Sequence, residues 1–574
     1  MGTPWIIEGT MDPRWPIYTR GNIGEVFPEV ITALAYELGV KSAERAWREA
    51  YLEMGIGAPG DFSNDDPVII GLFGGYSYLN LSYLRMLGVR APGSSAEAID
   101  VAFFGEGDPP PYAAHPNDKN LKSSVRILTN LLKALGIKAV PEMVQDSFDR
   151  AAKYEALRPS LDASDEELYE FLLSLDNHFP ALFKNHMLST GYSAIVSGIL
   201  SDACDAAGEP GLVTHLIGAA GDVRSAQYSQ DLYSLSKVVH GSPSLAAHFD
   251  SGVDGLLHRL EADPSAAEFV SRFRAFLAEH GHRGPNDWET SSRTWDNTPE
   301  LALVAIDRMR LTDRDLSPST RLGDDDAKRQ AAIAKVRPAL NFLDKLNFDK
   351  AVKVMPYWAQ AREATRDRAV RVIMPAKQVF RELVRRGHER GGTSNPTHVA
   401  LLYPLTELLP YVKEPASMMD VVTERVALHE RFSAVEPKFF LTSMADVPTI
   451  EELEAEQTAV VPSAGVGEVL EGNAGSSGVA RGRARVVLDP AEATHLEPGE
   501  VLVAPLTDPS WTPLFLPASA VVVNVGALMS HAVIVARELA IPCVVAVEDA
   551  TSRITDGVMI EVDGTLGTVT IIED

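Results

Sequence analysis

At 574 residues the chain is too long for one ordinary core and has length for roughly three or four structural units. Hydrophobic residues at 45% and charged residues at 23% exclude a disordered or fibrous protein, and 79 acidic against 52 basic side chains leave a net charge of -27 that repels a nucleic-acid backbone. Two distant cysteines, Cys204 and Cys543, no basic leader at Met1 to Ile6 and no uncharged run of bilayer length point to a cytoplasmic protein without a membrane segment or disulfide framework.

Up to about residue 440 the apolar residues recur mainly at helical spacing. The glycines from Gly71 to Gly75 are not followed by Lys-Ser/Thr, so a helix-packing turn is expected there and not a phosphate loop. One helix reads almost completely: Asp263 caps, Pro264 takes the first position, Phe269, Phe273, Phe276 and Leu277 make the buried stripe, and Gly281 stops it. Residues 362–386 read as helical with a break near Pro375, their arginines on a solvated face. The acidic runs Asp324-Asp325-Asp326 and Glu451-Glu452 read as solvated loops, so no metal site is expected.

Between residues 442 and 472 the composition turns to Pro, Ala, Gly and acidic residues, with a short helix expected over residues 450–456. As a coil of about 25 to 30 residues this linker would reach roughly 30 Å, enough for a tethered domain to travel. Beyond it, β-branched runs at 484–488, 501–505, 520–525, 543–547, 558–562 and 568–572 predict a compact α/β tail. The expected division is therefore 1–445, a linker over 446–470, and 471–574. The fold class is α plus α/β, a large helical domain followed by a small β/α domain.

The chemistry concentrates on one turn of the tail. A buried strand, Val521 to Val525, runs through Gly526-Ala527-Leu528-Met529-Ser530-His531 into a helix that Pro542 helps to end. Ser530 is the natural N-cap, so His531 opens the helix, where unpaired backbone N–H groups and the helix dipole favour an anion. A neutral imidazole is a competent nucleophile near pH 7. The bland alternative for a lone histidine is a polar cap or a satisfied core group.

The string from Gly526 to Val545, with Ser477-Gly478-Val479-Ala480-Arg481-Gly482, Thr507-Asp508-Pro509-Ser510-Trp511-Thr512-Pro513 and Asp556-Gly557, resembles the swivelling phosphohistidine domain of the PEP-utilising phosphotransferases. Ala527 departs from that pattern, where a second glycine is usual. The helical part resembles the acceptor-binding domain of rifampin phosphotransferase and the matching region of phosphoenolpyruvate synthase. It does so through Tyr18 to Val26, Gly75 to Ser82, Gly281-His282-Arg283-Gly284 with Glu289, Arg293 and Trp295, Arg362-Glu363, and Leu402 to Leu408.

The resemblance implies that His531 carries a phosphoryl group between a nucleotide site and an acceptor site. It leaves no ATP-grasp stretch before Tyr18 and no phosphoenolpyruvate barrel after Asp574, a pattern similar to the larger subunit of two-component phenylphosphate and cresol phosphate synthases. It therefore implies a separate ATP-grasp partner subunit that holds ATP and magnesium, no cofactor on this chain alone, and a small phenol or alcohol as acceptor. A rifamycin-type phosphotransferase half, or a non-catalytic binding or phosphocarrier protein of the same fold, are the alternatives. The expected catalytic residues are His531, Ser530, His282 and Glu289, and the expected phosphoryl or substrate contacts are Arg20, Arg283, Arg293, Gly526 and Arg537. His282, Arg283, Glu289 and Arg293 fit equally well a buried ion network joining helices.

Overall fold

The computed structural model describes residues 7, 9–62, 66–91, 94–104, 109–116, 118–119, 121–218, 224–311, 318–457, 461–488, 496–507, 511–526 and 530–573. The Met1 to Ile6 start, Asp508-Pro509-Ser510, the departure at Ala527 with Leu528 and Met529, and Asp574 lie outside them.

Two long helices form the spine of the first unit: α1 (Leu175–Ala206), and a later partner, α3 (Phe342–Arg371), with which it shares its most extensive packing. Ser189 Oγ and Thr365 Oγ1 lie 2.8 Å apart between them, at the level of the site described below. Between the two in sequence, a tight turn over Pro264–Ala266, capped when the Asp263 carboxylate accepts from Ser265 N at 2.8 Å, leads into α2 (Ala267–His280). Phe269, Phe273 and Phe276 are buried as expected, in a second core with Leu232, Leu303 and Ile306. At the helix end Gly281 N donates to Leu277 O at 2.7 Å, and glycine fits there because a Cβ would stand 2.3 Å from that oxygen. After α3 the chain restarts as α4 (Ile373–Glu389); Pro375 requires the break, since its ring would meet the carbonyl of Arg371 in a continuous helix.

The helical unit also holds a small sheet that helical periodicity did not reveal. Its strands are β1 (Tyr18–Thr19), β2 (Ile70–Phe73), β3 (Tyr76–Asn80) and β4 (Phe440–Leu441), in the antiparallel order β2-β3-β1-β4. The run Gly71 to Gly75 is thus no helix-packing turn. Gly74 and Gly75, both at positive φ (55° and 79°), make the two-residue turn of the β2–β3 hairpin, where side chains are penalised and glycine is not.

The expected linker is shorter than its composition suggests. The helix Ile450–Gln457 buries Ile450 and Leu453 in the main core, and Arg431 pairs with Glu454 at 2.8 Å. On the other side Gly467 N donates to Ile571 O, and β5 (Val469–Glu471) already belongs to the tail domain.

In the tail, β5, β6 (Asn473–Ser476), β7 (Val479–Val486), β8 (Val501–Ala504), β9 (Ala520–Val523), β10 (Cys543–Val545), β11 (Met559–Asp563) and β12 (Thr568–Ile571) form one sheet. Its order is β5-β12-β11-β7-β8-β9-β10-β6, parallel from β7 to β10 and antiparallel outside. Alternation explains the all-apolar strands: Leu502, Val521 and Val523 pack on one face and Val501, Val503, Ala520 and Val522 on the other. The helix α5 (His531–Leu539) covers the first of these faces, linking β9 to β10. The tail docks on the helical unit through Leu516, buried in the core that holds Phe269, and through Leu539 against the same core. Among the described residues no helix is long and apolar enough to cross a membrane.

Candidate functional site

Thr507 follows β8 and His531 follows β9, so both stand beyond the carboxyl ends of adjacent parallel strands, where open α/β sheets place ligands. Ser530 is extended (φ -70°, ψ 161°) and its side chain accepts from Val533 N at 3.5 Å, which starts α5 at His531. His531 Nδ1 lies 3.1 Å from Thr507 Oγ1, and the Phe515 ring meets the imidazole edge-on at 5.8 Å. The His531 backbone N–H donates to Glu25 Oε2 at 3.1 Å, across the junction between the two domains. Burial, reinforced by the Arg366 charge, pushes the imidazole down to about 3, so it is neutral near pH 7. The ring remains half-buried at a domain junction and is not sealed inside either core.

Across the junction the wall is cationic and aromatic. Arg366, on α3, keeps 23% of its side chain exposed, with Nη2 3.8 Å from Asp287 Oδ2 and its guanidinium 5.9 Å from the Trp288 ring centre. Arg362, one turn earlier, pairs with Glu363 at 3.0 Å. His186 projects from α1 beside them; burial, then the charge of Arg366, holds it down to about 3 as well, with Glu363 acting the other way. Phe179 and Phe183 stack, and Trp288 meets both edge-on at this end, Phe183 standing 5.7 Å from Trp288 and 6.0 Å from His186. Among the described residues Trp288 Nε1 has no hydrogen-bond partner, though it is buried.

One residue further along α3 lies a second network, centred on Asp367. Asp367 Oδ1 accepts from Arg283 Nη2 at 2.9 Å and lies 3.0 Å from His282 Nε2, while its Oδ2 pairs with Arg368. Burial works against ionisation of Asp367, but the charges of His282, Arg283 and Arg368 outweigh it and hold the carboxyl well below its usual range. Burial keeps His282 neutral, and Asp367 with Asp287 raises Arg283 against the same burial. Of the two readings the sequence left for His282 and Arg283, the geometry matches the ion network joining helices. Glu289 serves it too, its Oε1 accepting from Thr32 Oγ1 at 2.9 Å and from Ser291 N and Oγ at 3.0 Å, which ties the loop to the N-terminal segment. Gly284 permits the fold of this loop, since a Cβ there would stand 2.4 Å from Arg293 O.

The remaining expected contacts are corrected by their surroundings. Arg20 is buried and donates to the Ser77, Phe27 and Pro28 carbonyls at 2.6, 3.0 and 3.2 Å, so its guanidinium holds the small sheet and does not face a phosphoryl group. Arg293 is exposed, outside the cluster, because its carbonyl and not its side chain packs against Gly284. Arg537, two turns beyond His531, donates from Nε to Gly475 O at 2.8 Å and fastens α5 to β6. Gly526 is needed for packing: a Cβ would come within 2.9 Å of Val545 Cβ. The arginines of 362–386 are not a solvated face throughout, since Arg368 is buried and Arg362 and Arg366 are half-buried.

The sequence reading singled out neither Glu25, His186, Arg366 nor Thr507. The repeat Arg362-Glu363 and Arg366-Asp367 was the available signal, since four-residue spacing stacks two cations on one helix face. His186 carried none, because its neighbours come from another helix.

The small α/β domain thus sets a neutral, half-buried imidazole at a helix start against a wall of the helical domain that carries Arg366. Residues 185–368 match the rifampicin phosphotransferase fourth domain, and residues 496–567 match the PEP-utilising enzyme mobile domain. The first match spans His186 to Arg368 and the second contains His531. The chain is 26% identical over 99% of its length to a prodigiosin synthesizing transferase of Serratia marcescens, spanning 64% of that protein. It is 31% identical over 64% of its length to a rifampicin phosphotransferase of a Streptomyces species, and 28% identical over 75% to that of Streptomyces sviceus, spanning 42% and 50% of them. These matches support the phosphohistidine, PEP-utilising kind of phosphotransferase that the His531 motif resembles. The chain thus spans less than two thirds of the length of these relatives.

Proposed function

We propose that this chain is the phosphohistidine-carrying and acceptor-binding part of an ATP-dependent phosphotransferase. His531 receives a phosphoryl group from a separate ATP-grasp subunit that holds ATP and magnesium, and passes it to a small aromatic hydroxyl compound, a phenol or cresol. The observation that carries the reading is neutral His531, with its amide on Glu25 and its ring under the Arg366 charge, the latter within the stretch that matches the rifampicin phosphotransferase fourth domain. With the Nδ1 proton donated to Thr507, Nε2 is the nitrogen for phosphoryl transfer. Arg366 and Arg362 would stabilise the charge on the moving group, as pre-placed cations do in phosphoryl transfer. The cluster of Phe179, Phe183 and Trp288 supports an aromatic acceptor, and Trp288 Nε1, without a partner among the described residues, offers it a donor.

A rifamycin-type hydroxyl is the second reading, favoured by the match to the rifampicin phosphotransferase fourth domain. Incubation with an ATP-grasp subunit and ATP labelled in the β-phosphoryl group should label His531 and, on adding phenols or a rifamycin, yield the phosphorylated acceptor. Label that survives in His531→Ala ends the assignment, and ATP-driven turnover by the 574-residue chain alone rejects the separate subunit. Label that never leaves for a small hydroxyl compound would favour the phosphocarrier or binding alternative.

A further inference from the structure

We propose that His186 is the base that takes the acceptor's hydroxyl proton as the acceptor oxygen attacks the phosphoryl group on His531, an assignment that rests on the phosphotransfer reading above. Three features of its position converge. The imidazole hydrogen-bonds to the Arg362 backbone, while its Nδ1 is buried with no hydrogen-bond partner among the described residues. A ring held in this way through one nitrogen presents a lone pair on the other. Its outer edge borders the aromatic cluster, Phe183 lying one turn earlier on α1 with its ring centre 6.0 Å away. Finally, Arg366 stands 5.9 Å from the Trp288 ring, which meets Phe183 at 5.7 Å, so the same aromatic cluster borders both His186 and the cation whose charge also acts on His531.

His282, the expected candidate for this task, is placed differently. Its Nε2 is held by Asp367, and the charges that act on it are those of Asp367, Arg283 and Asp287, none of which acts on His531. Its Nδ1 is likewise without a partner among the described residues, but it lies in the Asp367 network, whereas His186 borders Phe183 and the aromatic cluster.

In the step itself the acceptor O–H proton moves to His186 Nδ1 and the O–P bond forms. The N–P bond to His531 Nε2 breaks, and its electron pair returns to the imidazole. Arg366 stays with the phosphoryl oxygens throughout. Burial and the Arg366 charge both keep His186 unprotonated. An arriving phosphoryl group offsets that charge, so His186 gains basicity only when the charged donor is docked. Proton removal is thereby tied to phosphoryl delivery, and an idle site stays neutral.

The test charges the full chain with potassium phosphoramidate and follows loss of phosphohistidine by rapid quench into phenols ranging from phenol to 4-nitrophenol. In His186→Asn, His531 should charge as in the parent, while transfer to phenol should fall about 100-fold, in the range of general-base contributions. The deficit should shrink steadily toward 4-nitrophenol, whose hydroxyl ionises most readily, and added imidazole should restore part of the rate to His186→Ala. A thermal melt of each variant separates these effects from misfolding, which would lower transfer to every phenol alike. Equal losses across the series, or no loss, overturn the role of His186 while leaving phosphotransfer through His531 standing. A parent chain that charges at His531 but discharges to none of the phenols overturns the functional reading itself and the His186 assignment with it.

Discussion

Arg366 and Asp367 are neighbours on one helix, yet they organise two opposite kinds of charged cluster. Asp367 is the hub of a paired network: His282, Arg283 and Arg368 are all within hydrogen-bond reach of its carboxylate, and their side chains are at most 9% exposed. Arg366 has no such pairing. Its nearest carboxylate is 3.8 Å away, it is partly open, and the two imidazoles it influences are both kept neutral. A network that pairs its charges stabilises a fold, because each charge offsets the desolvation of the others. A cation left underpaired beside neutral nucleophilic rings has capacity for an incoming anion. Buried charge alone therefore does not mark a site; its unfilled share does.

The sharpest way to separate the two clusters is to break the paired one. Asp367→Asn leaves Arg283 and Arg368 without their shared counter-charge and should cost about 3–5 kcal/mol of stability by urea denaturation, the range for half-broken buried pairs. Transfer per folded molecule should stay within a few-fold of the parent. Arg366→Ala should do the reverse, slowing discharge of phosphorylated His531 by about 10²–10³-fold in single-turnover assays while shifting the melting temperature little. If both variants lose stability equally and transfer equally, the distinction between the clusters is void.

Acid should act on the open cluster. Burial and the Arg366 charge hold His531 down to about 3 from the ordinary value of about 6.5, so a ring released to solvent binds more protons throughout that window. The contribution to docking is thus fully present above pH of about 6.5 and is lost as pH falls toward about 3. Fluorescence energy transfer between dyes on the two domains should report this release, and His531→Asn should flatten it. The smallest effect concerns α5 itself. Ser530→Ala removes a long 3.5 Å cap bond and should cost about 1 kcal/mol or less, measured as a shift in the urea midpoint.

The sequence was most legible where the signals were local. Strand, turn, Ser530 cap, His531, apolar helix and Pro542 follow one another within about twenty residues, and α5 starts where the cap requires. The α2 helix and the Pro375 break were readable for the same reason. The N-terminal sheet was not, because β1 and β4 are two residues long and the pairing of Tyr18 with Leu441 spans most of the helical unit. The composition of 446–470 spoke for a linker with one short helix, yet Ile450 and Leu453, three apart on one face, anchor that helix in the core. Site residues divided likewise: His531 announced itself by its turn, whereas the roles of Arg20, His282 and Arg366 depended on which tertiary neighbours closed around them. Helical spacing shows that two arginines share a face but not what that face meets.

The central claim is that a phosphoryl group on His531 lies against Arg366. Phosphorus NMR of the phosphoramidate-charged chain, titrated with pH, measures this directly, because an adjacent guanidinium favours the more highly charged phosphoryl form. The account predicts a phosphohistidine signal that titrates at lower pH in the parent than in Arg366→Ala. Identical titration curves for the two proteins would contradict it.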